Sequence, residues 1–125
     1  LSVTHPATIR SGIADYVVDQ IDLNTPPGKL VFQTSGGTTV STLTFSNPAF
    51  GAAASGVATA AAITADSSAV GGTVAKAEFR QGGGTAIVLC SVTATGGGGD
   101  ITLSSIIISA GQTVSMTSLT YTASL

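Results

Sequence analysis

Catalysis needs acids, bases, nucleophiles or metal ligands at productive spacings. This chain of 125 residues offers one histidine, one cysteine and six carboxylates. His5 stands directly before Pro6, with no Cys, Asp or Glu beside it to complete a metal set. It reads as an exposed or cap-adjacent side chain. Cys90 lies within Ile87-Val88-Leu89-Cys90-Ser91-Val92, a run of strand type. A cysteine nucleophile needs an activating base, and the single histidine is near the N-terminus. Cys90 therefore reads as a small buried core residue. Asp15, Asp19 and Asp22 recur at spacings of four and three, as a stripe along a helix does. No loop of alternating oxygen ligands accompanies them, so calcium is not expected. They read as a solvated helix face or as contacts to basic residues of a partner. Gly82-Gly83-Gly84-Thr85 and Gly96-Gly97-Gly98-Gly99 lack the lysine of a phosphate loop and open no helix, so both read as turns. No catalytic residue, cofactor or metal is expected, and the chain reads as non-enzymatic.

The elements that position these residues follow from periodicity. From Pro6 to Leu23, Ile9, Ile13, Tyr16, Val17 and Ile21 trace one face of a helix. Thr4 is the expected cap, with Pro6 in the first turn. The aspartates fall on the opposite face, and Asn24-Thr25-Pro26-Pro27-Gly28 stops the helix. Gly12 weakens it, which suggests that docking holds it in place. After Lys29 the period changes to two. Strands are expected at 30–34, 40–46, 57–65, 73–80, 86–95, 101–109 and 113–122, with a bulge near Thr117-Ser118 in the last. The stretch 73–80 alternates most clearly, with Ala75, Ala77 and Phe79 on one side and Lys76, Glu78 and Arg80 on the other. Those six charged residues, Asp15, Asp19, Asp22, Lys76, Glu78 and Arg80, are the candidate partner contacts. The expected fold is a single domain over 1–125, mainly β. The N-terminal α-helix covers about 6–23. An antiparallel β-sandwich of about seven short strands, jelly-roll or Ig-like, covers about 29–123.

Composition narrows the function classes. Only 8% of residues are charged, against about 25% in an average domain. The four basic residues are scattered and the net charge is −2, so no basic patch is expected to bind nucleic acid. A weakly charged surface rich in Ser and Thr favours self-association or packing on a partner. No apolar run reaches the length of about 18 residues that a membrane helix needs. No signal peptide is read at the start, and one cysteine asks for no oxidising compartment, so cytoplasmic synthesis is expected. The four phenylalanines are expected in the core, leaving Tyr121 as the one aromatic suited to stacking on a sugar.

Two stretches carry a resemblance. They run from Leu43 through Asn47-Pro48-Ala49-Phe50-Gly51 and Gly56-Val57-Ala58-Thr59 to Thr64, and from Ile108 through Ser109-Ala110-Gly111-Gln112-Thr113-Val114 to Leu119. They resemble small structural proteins of tailed-bacteriophage virions. The resemblance implies a capsid decoration, or cement, protein that clips onto the assembled head through the major capsid protein. It implies a homo-oligomer, trimer or dimer, on the capsid surface, made in the host bacterial cytoplasm. It brings no catalytic residues. Leu1-Ser2-Val3-Thr4 is read as an arm reaching a neighbour. The alternatives are another virion part (tail tube, tail fibre or head–tail protein) and an Ig-like or carbohydrate-binding adhesion module.

Overall fold

A computed structural model describes residues 3–123. Leu1 and Ser2 of the expected arm lie outside the described residues; Val3 is exposed. The chain opens with α1 (Ala7–Asp19), which tightens into a 3₁₀ turn at Gln20–Asp22. Nine short strands follow: β1 (Lys29–Gln33), β2 (Thr39–Thr44), β3 (Val57–Thr59), β4 (Gly72–Thr73), β5 (Lys76–Arg80), β6 (Ala86–Ala94), β7 (Ile101–Leu103), β8 (Ile107–Ile108) and β9 (Thr120–Thr122). The protein is thus mainly β with one N-terminal helix. A curled sheet in the order β2-β1-β5-β6-β7 is accompanied by two ribbons, β3-β9 and β4-β8.

Four expectations about the strands change. The stretch 57–65 keeps only β3, beyond which Ala60 and Thr64 make isolated bridges to Phe50 and Thr44. The stretch 73–80 is interrupted at Val74-Ala75, and 101–109 is interrupted at Ser104-Ser105-Ile106. The last expected strand keeps only β9. Its first half is irregular, tied by a single bridge from Val114 to Asp66, and holds no bulged ladder at Thr117-Ser118.

The sheet is also mixed rather than antiparallel. β7 runs parallel to β6, with Val92 beside Ile101 and Ala94 beside Leu103. Parallel neighbours ordinarily need a crossover of about a dozen residues. Here Thr95–Asp100 suffices, because glycine lets the chain double back. Gly96 and Gly98 have φ of +91° and +80°. Gly97 and Gly99 lie so close to Thr93 that a Cβ on either would sit 2.7 and 2.9 Å from its atoms. The Gly99 N–H donates to Thr93 Oγ1 at 3.0 Å, pinning the loop over the strand.

The core lies on one face of the sheet. Leu30, Phe32, Leu43, Ala77, Phe79 and Val92 meet Phe45, Phe50, Ala58, Leu119 and the helix residues Ala14, Val18 and Ile21. All four phenylalanines are buried, and Phe45 meets Phe79 edge-on with centroids 5.6 Å apart. Each such buried side chain contributes about 1.5–3 kcal/mol.

The helix is turned about its axis from its expected face; of that stripe Ile21 is buried and Val17 half-buried, as expected. Ala14, Val18 and Ile21 are buried, whereas Ile9, Ile13 and Tyr16 are 52%, 37% and 68% exposed. Polar groups on the inward edge explain the choice. Asp15 Oδ1 accepts from the Ala53 N–H at 2.7 Å, and Asp22 Oδ1 from the Ala49 N–H at 2.9 Å. Ser11 Oγ accepts from the Gly56 N–H at 3.0 Å. Three backbone donors of the 49–56 loop are thereby satisfied by one helix edge. Thr4 does not cap the helix: Pro6 is the N-cap, without a side-chain bond, and its carbonyl accepts from the Arg10 N–H.

Asp66 plays the same role beside β2. Its carboxylate accepts from Ser41 Oγ at 2.8 Å and from the N–H groups of Thr42 and Ser68 at 3.0 and 2.9 Å. Its main chain exchanges hydrogen bonds with Val114. Burial pushes its pKa up, but the Ser68, Thr42 and Ser41 bonds outweigh that and leave it below the usual 3.8.

Two stability measurements check these assignments. Gly99→Ala should cost about 1–3 kcal/mol in urea unfolding, through overpacking against Thr93. Gly12→Ala, facing open space on the helix, should gain about 0.5–1 kcal/mol. Equal effects of the two would contradict the loop geometry. Asp66→Asn should cost about 1–2 kcal/mol at neutral pH. A depressed carboxylate stabilises above its unfolded pKa, so this difference should be full above pH 3.8 and vanish as pH falls through the lower folded value. A difference that persists unchanged at the acid end would contradict the carboxylate's role.

Candidate functional site

The five-stranded sheet has two ways to meet another molecule: its outer face and its β6 edge. Register defines the face. Lys29 lies beside Arg80, Val31 beside Glu78 and Gln33 beside Lys76, while Leu30 and Phe32 pair with Phe79 and Ala77 on the core side. Leu89 stands opposite Glu78 on β6 and is 73% exposed. Lys76, Glu78 and Arg80 thus share one outward face, as alternation predicts. Arg80 Nε donates to Glu78 Oε1 at 2.7 Å, so these two neutralise each other, while Lys76 stays exposed. The three aspartates separate. Asp15 and Asp22 are spent on the 49–56 loop and lie on the docking edge, not on a solvated face; Asp19 is exposed. Burial raises the Asp22 pKa, the Ala49 N–H offsets part of this, and neighbouring Asp19 adds to the rise.

Sequence reasoning missed the edge. β6 spans nine residues, but β7 pairs only with Val92–Ala94. Val92 donates to the Ala75 carbonyl on the β5 side. Backbone alternation therefore turns Leu89 away from β5, where no strand follows. Ser91 is next on this open edge, and Asp100 seals it: Oδ2 accepts from the Ser91 N–H at 3.0 Å and from its hydroxyl at 3.2 Å. Such a carboxylate shields an edge from unwanted pairing. β9 has a second open edge. Leu119 and Ala123 bond toward β3, through Ala60 and Gly56, so Thr120 and Thr122 point their main chain outward.

The two open edges border one cleft of about 490 Å³. Val88, Leu89 and Cys90 line one side, Thr120, Tyr121 and Thr122 the other, with Phe79, Ile101 and Leu119 between them. Cys90 is half-buried here rather than sealed in the core. Burial first, and Asp100 second, push its thiol up to about 11. At neutral pH it is a protonated, weakly polar wall of the cleft and no nucleophile. His5 lies far from this cleft in sequence and is exposed. Among the described residues, no three His, Cys, Asp or Glu side chains gather into a metal-binding group, and no helix is long and apolar enough to cross a membrane.

No family model, curated protein or solved structure matches the chain. The functional reading rests on the two open edges, the outer face and the helix.

The thiol offers a direct check on the cleft. Alkylation of Cys90 by iodoacetamide at pH 7.5 should run about a hundredfold slower than that of free cysteine, and should accelerate as pH approaches 11. A rate matching free cysteine would mean that the thiol stands in open solvent.

Proposed function

We propose that this chain is a non-enzymatic capsid decoration protein of a tailed bacteriophage, a virion component that binds the major capsid protein of the assembled head and stabilises the shell. The observation that carries this reading is the pair of open strand edges, β6 and β9, facing one cleft of mixed polar and apolar lining. Unpaired main-chain donors and acceptors accept an extended segment as an added strand, and Phe79, Ile101 and Leu119 between the edges receive alternate side chains. A contact of this kind, repeated at every site of a shell, replaces individual affinity with number. The weakly charged Ser/Thr surface suits close apposition to protein. The resemblance of residues 43–64 and 108–119 to virion structural proteins points the same way. Within this reading the curled sheet forms one layer and the β3-β9 and β4-β8 ribbons form the other, giving a sandwich.

One feature favours an adhesion module instead. Tyr121 lines the cleft half-exposed, where a ring can stack on a sugar.

Co-sedimentation with undecorated heads, tested before and after shell expansion, separates the two. Saturable binding and a raised shell-rupture temperature are expected. Thr120→Pro should reduce binding at least tenfold yet leave the fold intact, because the lost N–H points away from β3. Failure to co-sediment at every stage overturns the decoration reading. Glycan binding that disappears in Tyr121→Ala establishes the adhesion reading.

A further inference from the structure

We propose that a second copy of this chain docks head to tail, the outer ribbon of α1 in one copy against the outer face of the five-stranded sheet in the next. The contact uses the outward sheet face and meets the cleft only at its rim, through Leu89, and its readout, self-association, is separate from shell binding.

The ribbon exists because the helix is held by its other edge. Ile9, Ile13 and Tyr16 follow each other at spacings of four and three on the solvent side, with Gly12 between them and Asp19 along one flank. Gly12 has nothing within 4 Å of its would-be Cβ, so the ribbon is also flat enough for close approach. The sheet face offers a matching surface. Leu89 is an exposed apolar side chain there, opposite Glu78 and diagonal to Lys76 and Arg80, with Lys29 one strand further, beside Arg80.

Charge selects the occupant. Beside the outer ribbon stands Asp19, the helix carboxylate not held by the 49–56 loop. The sheet face holds three cations and one carboxylate, a net +2. Among the described residues Arg80–Glu78 is the one ion pair, so Asp19 and Lys76 have no opposite charge within reach in their own copy. Helix against helix brings Asp19 to Asp19, and sheet against sheet brings cation to cation. Only helix against sheet brings opposite charges together, with apolar side chains at the centre. Both patches face away from the shared core, one from the helix side and one from the sheet side. One copy therefore cannot satisfy its own patches. The contact is heterologous, and it closes into a ring or continues as a chain of copies.

The test uses two variants of the full chain. Ile13→Lys with Tyr16→Ser disables the helix side. Leu89→Glu with Lys76→Glu disables the sheet side. All four positions are exposed or rim the surface, and circular dichroism with thermal unfolding checks that both variants fold. Sedimentation velocity of the parent chain, from micromolar to millimolar, should show mass rising beyond a dimer and association weakening at least tenfold between 0.05 and 0.5 M salt, an order-of-magnitude expectation. Each variant alone should remain monomeric. Their equimolar mixture should form a 1:1 dimer that grows no further, since one intact patch of each kind remains. Association of either variant alone shows a self-paired interface and overturns the proposal. A monomeric mixture, or a parent chain that stays monomeric throughout, overturns it as well. Binding of Thr120→Pro to heads plays no part in these outcomes, so the shell reading and this one fail separately.

Discussion

The arrangement depends on how one helix edge satisfies one loop. The 49–56 segment turns over the core and leaves backbone N–H groups at Ala49, Ala53 and Gly56 without a strand to receive them. Buried donors without acceptors cost about 1–3 kcal/mol each. Asp22, Asp15 and Ser11 supply the acceptors, at helical spacings of four and seven. Gly56 completes the fit: with φ +80° and no side chain, it lets Arg10 lie across it, where a Cβ would be 3.0 Å from the arginine. Once this edge faces inward, small Ala14 and Val18 go into the core and large Ile9, Ile13 and Tyr16 go outside. Hydrogen bonding thus overrides hydrophobic size in setting the rotation of the helix.

The same competition explains what could be read from the residues. Period-two alternation located β1, β2 and β6 to within a residue or two, and the end of β5 at Arg80, because their side chains meet a core on one face only. The position of the glycine loops was equally plain. The direction of the chain after Gly96-Gly97-Gly98-Gly99 was not, since glycine announces a reversal without saying whether the next strand pairs antiparallel or swings back to pair parallel. The helix carries two overlapping stripes, Ile9/Ile13/Tyr16/Val17/Ile21 and Ala14/Val18/Ile21, and periodicity alone cannot rank them. Residue size favoured the first, of which Ile21 is fully buried while Ile9, Ile13 and Tyr16 stay outside. The available signal was the company each stripe keeps: Ser11, Asp15 and Asp22 flank the second, and such acceptors are what an irregular Ala/Gly loop lacks.

The candidate contacts divide along the same line. Lys76, Glu78 and Arg80 were legible as one face because a strand shows its two sides in alternate letters. Asp15, Asp19 and Asp22 looked equivalent and are not, since two of them hold the loop and one remains at the surface. The cleft was invisible in the sequence. It arises because β6 outruns its neighbour β7 and ends opposite β9, a mismatch of strand lengths across a mixed sheet. No local pattern encodes that mismatch.

The scarcity of charge gives the few charges present their meaning. On an ordinary surface, scattered ions of both signs blur any one patch, and exposed pairs contribute only about 0.2–1 kcal/mol each. Here ten charged residues serve the whole chain. Asp66, Asp100, Asp15 and Asp22 hold backbone groups, and Arg80 and Glu78 hold each other. That leaves Asp19 beside an apolar helix ribbon and Lys76 near an exposed Leu89 among the few charges free to meet another molecule. A surface so quiet elsewhere makes orientation depend on those few groups. Apolar contact supplies attraction without direction, and the sparse charges supply the direction.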